Sequence, residues 1–335
     1  MKILVTLGPS SLNESSVSRM TDLGVHMFRI NLSHTAVDEL AELINRIRNW
    51  TDIPICLDSE GAQLRNGPMA SEAVRFTEDD TVKIHRAPVV GDEANLSFNP
   101  IGVVEQFRVG DEIQVDFDHV HFRITETHDV GFAARVMTGG AIGSNKAADL
   151  DRELKFEPLT EKDRAAIEIG RDAGIENFAM SFANSADDVQ MMHRLCGDDS
   201  RVISKIESPM GLRNLEKILA ESDEILIDRG DLSRRVPIHQ IPFLQRRIIS
   251  LARSKSKPVY VATNLMESMV TTKSPNRAEV NDAVSTLEMG ASGLVLAAET
   301  AIGQFPVEAV AMVRALIDEY EKWTPNTSIG EILGY

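Results

Sequence analysis

The chain has 335 residues, 43% hydrophobic and 26% charged, with a formal net charge of −16. That length holds one large domain or two smaller ones, and the acidic balance argues against general nucleic-acid binding and against an anionic membrane surface. An anionic small molecule stays open, because a local cluster of Lys and Arg outweighs the global field.

Short β-branched runs recur along the chain, separated by amphipathic stretches with helical spacing. The first run is "ILVTLG" at 3–8, followed by "MFRINLS" at 27–33 and "PICLDS" at 54–59. A helical pattern at 35–50 lies between the second and third. After an interruption come "NFAMSF" at 177–182, "RVISKIE" at 201–207, "EILID" at 224–228, "PVYVATN" at 258–264 and "GLVLAAE" at 293–299. Helical patterns at 162–174 and 211–222 alternate with them. Thr160, in "TEKD", has the position of an N-cap in a capping-box start. Gly24, Gly174 and Gly290 stand where helices are expected to stop, and Pro306 suits the first turn of the last helix. Eight strands alternating with eight helices predict a closed α/β barrel, the (β/α)8 TIM barrel. A doubly wound open sheet is the alternative, weakened because no G-x-G-x-x-G opens the first helix.

Residues 66–152 break the alternation. They hold strand-like pieces, "TVKIHR", "DEIQVDF", "VHFRITET" and "GFAARVM", punctuated by Gly, Asp and Asn, and no long helix. This predicts a small all-β lid domain at 66–152 inserted into a discontinuous barrel of 1–65 and 153–335, over the barrel mouth.

In such barrels chemistry collects at the C-terminal ends of the strands. Those ends carry Arg29, Asn31 and Ser33, then Asp58 and Ser59, Ser181, Lys205 and Glu207, Asp228 and Asp231, Thr263 and Asn264, and Glu299 and Thr300. Arg65 follows at the start of the insert. Taken singly, each is better explained by a salt bridge or a rim hydrogen bond. Together they point to an anion site beside a cation site. Arg29, Arg65 and Lys205 suit a phosphate or carboxylate. Glu207 and Asp231 are oxygen ligands of the kind Mg2+ or Mn2+ prefers, with substrate and water completing the shell. Asn31, Ser33, Asp58 and Ser59 form a second oxygen-rich cluster for a weaker cation. Lys205 and Glu207 are two apart on one strand, so both are expected to face the mouth rather than each other as a structural pair.

Cys56 and Cys196, the chain's two cysteines, make neither a disulfide framework nor a zinc site, and Cys56 reads as a buried free thiol. The N-terminus shows no signal-peptide pattern and no run of about 18 apolar residues occurs, so a cytoplasmic location is expected.

Ordered motifs along the whole chain resemble pyruvate kinases. They are "TLGPSS" (6–11), "FRINLSH" (28–34), "LDSEGAQLR" (57–65), "VGDEIQVDFD" and "GGAIGSNK" in the insert, then "LTEKD", "ISKIES", "DRGDL", "VATNLMESM", "NRAEVND" and "AAETAIGQFPVEAV". The resemblance implies phosphoryl transfer between phosphoenolpyruvate and a nucleoside diphosphate such as ADP, leaving an enolate that is protonated to pyruvate. It implies Arg29 and Lys205 around the transferred phosphate, Arg65 at the barrel–lid junction, and Glu207 and Asp231 as Mg2+ (or Mn2+) ligands. It implies Asn31, Ser33, Asp58 and Ser59 for K+. Thr263 falls near the substrate carboxylate on the proton-delivery side, with Gly230 and Asp228 also lining the substrate. His34, Lys146 and Asp116 fall near nucleotide-binding positions. The motifs end with the eighth helix, so the family's C-terminal domain and sugar-phosphate control through it are not expected, while a homodimer through the barrel is left open.

The pattern departs from the family at Glu60, Ala62 and Gln63, where Lys, Pro and Glu are usual, and at Asp228, where alanine is usual. Asp228 is expected to turn away, to pair with the adjacent Arg229, or to signal a different substrate. Three alternatives therefore stand beside the kinase: a paralogue with another substrate, a metal-enolate lyase or aldolase, and a non-catalytic phosphoenolpyruvate-binding sensor.

Overall fold

The computed structural model describes residues 1–61, 63–116 and 119–334. Ala62, and Phe117 at the end of the predicted "DEIQVDF" piece, lie outside the described residues. The chain divides into two compact units, residues 1–61 with 158–335, and residues 62–157.

The first unit is a closed barrel of eight parallel strands. In chain order they are β1 (Lys2–Leu7), β2 (Met27–Asn31), β3 (Ile55–Asp58), β4 (Asn177–Met180), β5 (Arg201–Ile206), β6 (Glu224–Asp228), β7 (Val259–Ala262) and β8 (Gly293–Leu296). All eight predicted strands are present, each within a few residues of its expected ends. The open-sheet alternative falls, because β1 pairs with both β2 and β8 and closes the ring.

Side chains alternate along each strand, which sorts the barrel into two apolar layers. Outward residues such as Val5, Phe28, Leu57, Phe178, Val202 and Ile227 join the helices in one large core. Inward residues Leu4, Met27, Cys56, Ala179, Ile203, Leu226, Tyr260, Ala262 and Val295 fill the barrel with a separate plug. Two residues further along most of these strands, the next inward side chain is polar: Thr6, Arg29, Asp58, Ser181, Lys205 and Asp228. The apolar plug is thus the floor of a polar layer.

The helices start and stop where local chemistry dictates. Helix α1 (Glu14–Asp22) is capped by Asn13, and α2 (Leu40–Arg48) starts later than its apolar pattern suggested. Residues 32–34 form a short 3-10 turn first, capped by the Asn31 side chain. Helix α3 (Glu161–Asp172) carries the full capping box of Thr160 and Asp163. The predicted helix at 211–222 is split in two, Pro209–Arg213 and Leu215–Glu221, at Asn214. The last long barrel helix, Pro306–Lys322, begins at Pro306. Gly24, Gly174 and Gly290 all have left-handed φ, at +79°, +70° and +98°, as helix stops require.

The second unit is a seven-stranded sheet, with a separate two-stranded pairing of Val74–Phe76 with Gly140–Ile142. Its long strands, Val120–His128 and Gly131–Thr138, match two of the predicted pieces. The strands at Asn95–Asn99 and Ala148–Leu150 were not read from sequence. Its core is built around Phe76, Phe98, Phe107, Phe122 and Phe132, with Phe76 and Phe122 edge to face at 5.3 Å.

Candidate active site

Four charged side chains meet above the plug. Arg29 (4% exposed), Asp58 (1%), Lys205 (6%) and Glu207 (1%) are almost fully out of solvent. Burying single charges is costly, and each is compensated by its neighbours. The Arg29 guanidinium donates through Nη2 to Asp58 Oδ2. Lys205 Nζ donates to Ser181 Oγ at 3.0 Å and lies 3.4 Å from Asp58 and 2.9 Å from Glu207 Oε1. Lys205 on β5 and Glu207, the residue just after that strand, lie on the same side of the chain. They also touch each other, because the long Lys side chain spans the i, i+2 gap.

The donors and acceptors left open are informative. Arg29 Nε and Nη1, Asp58 Oδ1 and Glu207 Oε1 are buried without a hydrogen-bond partner. Buried polar atoms without a hydrogen bond are few in native proteins, and four of them gather here. The guanidinium offers two unused N–H donors, while the two carboxylate oxygens have the Lys205 ammonium as an ion-pair partner.

Asp228, at the end of β6, caps the seven-residue helix Arg229–Arg235. Its Oδ1 accepts from Thr263 Oγ1 at 2.6 Å and from the Gly230 N–H at 3.2 Å, and its Oδ2 lies 3.7 Å from Lys205 Nζ. The expected pairing with Arg229 is not made. Arg229 reaches instead to Asp282 at 2.6 Å and to the Thr263 carbonyl. Gly230 is required here, since a Cβ would stand 2.9 Å from Thr263 Cγ2. Asp231 follows on the same helix, with Oδ1 3.3 Å from Arg234. One carboxylate oxygen from each of Glu207, Asp228 and Asp231 lies within 4.8 Å of the others.

These contacts set the protonation states. Burial works to lower the Lys205 pKa, but Asp58, Glu207 and Asp228 outweigh it and hold the ammonium charged, above its ordinary value. Burial also opposes the Arg29 charge, and Asp58 outweighs it. Burial pushes Glu207 up to about 8, with Lys205 opposing and Asp228 and Asp231 adding to the rise. Burial would raise Asp228 too, but Lys205, the Thr263 hydroxyl and Arg29 hold it below the usual carboxylate range. Burial and the neighbouring Asp228 raise Asp231.

Asn31 Oδ1 accepts from the Ser33 N–H at 2.9 Å. Ser59 Oγ accepts from the Ser181 N–H at 2.9 Å, and the Ser59 carbonyl accepts from Ser181 Oγ at 2.7 Å. Within the proposed weaker-cation cluster, Asp58 Oδ1 is buried without a hydrogen bond, with Lys205 Nζ 3.4 Å away. His34 is exposed at the end of the 3-10 turn. Glu299 and Thr300 serve the backbone: Glu299 accepts from the Met266 and Ala297 N–H groups, and Thr300 donates to the Thr6 carbonyl. Glu60, where the family has lysine, lies 3.6 Å from Lys162.

In the second unit, Arg65 donates to the Asn145 carbonyl at 3.0 Å and contacts the Gln63 side chain at 3.4 Å. Lys146 Nζ lies 3.3 Å from Asp116.

Ser181, read from sequence at the end of its strand, holds Lys205. One contributor has no sequence signal, the Phe182 backbone N–H, which donates to Glu207 Oε2 at 2.7 Å. Phe182, Thr263 and Asn264 all have left-handed φ, at +51°, +76° and +55°, and all three follow barrel strands. Such conformations in bulky or β-branched residues are uncommon and concentrate at functional sites.

The fold and these residues can be set against known proteins. The family model for the pyruvate kinase barrel domain matches residues 1–310. A pyruvate kinase of Thermotoga maritima is 34% identical over 330 residues, covering 96% of this chain and 71% of its own length. One of Methylorubrum extorquens is 34% identical over 327 residues, covering 96% and 68%. The crystal structure of a pyruvate kinase from Cryptosporidium parvum superposes with a TM-score of 0.87 at 26% identity, over 97% of this chain and 70% of that one. Barrel, motif order and relatives agree, and the chain belongs to the pyruvate kinase family of phosphotransferases.

Proposed function

We propose that the protein transfers the phosphoryl group of phosphoenolpyruvate, or of a related enol phosphate, to a nucleoside diphosphate such as ADP. The P–O bond to the enol oxygen breaks, and a bond from phosphorus to the terminal diphosphate oxygen forms. The enolate left behind takes a proton at carbon to give pyruvate. The observation that carries this reading is the buried Arg29–Lys205 pair, with two guanidinium N–H donors unused beside a charged ammonium.

Transfer from an enol ester is catalysed by placing positive charge where negative charge develops. Lys205, kept charged by its carboxylate neighbours, is placed to offset charge on the phosphoryl oxygens in flight. Arg29, fixed by Asp58, orients the same group through Nε and Nη1. The donor set also fits a hard divalent cation, since Glu207 presents a buried oxygen with no hydrogen bond and Asp231 stands beside it. Mg2+ or Mn2+ held there would supply Lewis-acid stabilisation of developing oxygen charge. K+ belongs to the same reading, held by Asp58 with Asn31, Ser33 and Ser59. His34, Lys146 and Asp116 are the proposed nucleotide-binding residues, and Arg65 a further phosphate ligand. Thr263 is a proton-relay candidate through water, although its own proton is directed to Asp228. A cytoplasmic location and a homodimer through the barrel complete the proposal. No described helix is long and apolar enough to cross a membrane.

One observation favours a second reading. Thr263 Oγ1, which the resemblance places near the substrate carboxylate, and the N–H of Gly230, a substrate-lining residue, are both bonded to Asp228. A substrate carboxylate about 4 Å from Asp228 would be opposed by ~4 kcal/mol at an effective dielectric of ~20. That favours a paralogue whose substrate lacks a carboxylate at this point. A pyruvate-release assay with phosphoenolpyruvate, ADP, Mg2+ and K+ separates the two. Turnover by wild type that falls at least ~10²-fold in Lys205→Met supports the first. Silence in wild type with turnover in Asp228→Ala supports the second. Silence in all three overturns the phosphoenolpyruvate reading.

A further inference from the structure

The geometry points to Asp228 as a third carboxylate ligand of the divalent cation, beside Glu207 and Asp231. The inference rests on the proposed cation site at those two residues and adds to it a ligand from this chain's own departure from the family. One oxygen of each carboxylate lies within 4.8 Å of the others, so side-chain shifts of a few tenths of an ångström bring all three to the ~2.1 Å at which Mg2+ is held.

Each carboxylate is anchored through one oxygen. The Phe182 N–H holds Glu207 Oε2, Thr263 and Gly230 hold Asp228 Oδ1, and Arg234 holds Asp231 Oδ1. The second oxygen of Glu207 is buried and makes no hydrogen bond, although Lys205 Nζ stands 2.9 Å away outside hydrogen-bond geometry. Asp228 Oδ2 has Lys205 at the longer distance of 3.7 Å.

Three carboxylates make a cation site less dependent on substrate than two do, because a protein oxygen takes a position that the substrate would otherwise fill. The substrate then brings one anionic oxygen fewer to the cation.

The test is Mn2+ binding to substrate-free protein, read from the electron paramagnetic resonance of free Mn2+. Wild type is expected to bind one Mn2+ per chain, and Asp228→Asn to bind at least about tenfold more weakly. Asp228→Ala is measured in parallel, and the loss must appear in whichever variant retains the wild-type circular dichroism. Affinity within about twofold of wild type in Asp228→Asn, with a large loss in Glu207→Gln, overturns Asp228 as a ligand and leaves the cation site of the proposed function standing. Unchanged affinity in both overturns the inference and that site together.

Discussion

At the scale of single residues, the site is governed by which buried charges are shared. Lys205 has three carboxylates within 4 Å, so it stays charged despite burial. Glu207 has one cation against two further acids and a desolvating surround, and is raised to about 8. The sign of the resulting pH dependence follows. Between the ordinary Glu value of 4.5 and about 8, the folded state keeps a proton that the unfolded chain releases. The stability linked to Glu207 is present below that window and is lost as pH rises through it. The midpoint of thermal unfolding in excess chelator should therefore fall between about pH 6 and 8, and Glu207→Gln should flatten that part of the slope. An identical slope in the variant would sink the assignment. Asp228, held below its ordinary value of 3.8, acts in the opposite direction: its contribution is present above that value and lost on acidification.

At the scale of elements, the polar layer exists because strands have a period of two. Met27 and Ile203 belong to the plug, so Arg29 and Lys205 two residues on must point the same way. The loops are tied to the helices by similar economy. Asp163, fully buried, accepts from the Thr160 N–H and hydroxyl and also from the Glu60 and Gly61 N–H groups. One side chain thus caps α3 and holds the chain leaving β3. Asp163→Ala strands several buried donors and should cost about 2–4 kcal/mol, read from the denaturant midpoint. A loss below about 0.5 kcal/mol would show that water replaces the carboxylate freely. The motif "LTEKD" made the cap legible in sequence. Its second duty, across 102 residues of separation, was not.

At the scale of the whole molecule, each unit has its own core, one threaded through barrel and helices and one around five phenylalanines. Both cysteines are buried in the first unit. Burial pushes the Cys196 thiol up to about 12 and raises Cys56 further. At about pH 8 neither should react with a chromogenic thiol reagent until the barrel unfolds, when both should. A rapidly titrating thiol in the native protein would contradict the packing. Light scattering reads the proposed homodimer directly, and a monomer at all working concentrations would remove it from the proposal.

Local pattern was enough to read the barrel strands, the insert's all-β character, the α3 cap, and the residues at the strand ends, because alternation, caps and turns are short-range properties. It also placed Arg29, Asp58, Lys205, Glu207 and Asp231 at one rim, since strand ends in a parallel barrel converge. The partners of those residues were decided only in three dimensions. Arg229, adjacent to Asp228, takes Asp282 instead, and Thr263, 35 residues away, supplies the hydroxyl that binds Asp228. Ser181 was legible as a strand-end residue but not as the partner of Lys205, and the Phe182 backbone N–H completes the site without any signature of its own. Long side chains and turned-out N–H groups choose partners by distance across the ring, and sequence spacing carries no information about that distance.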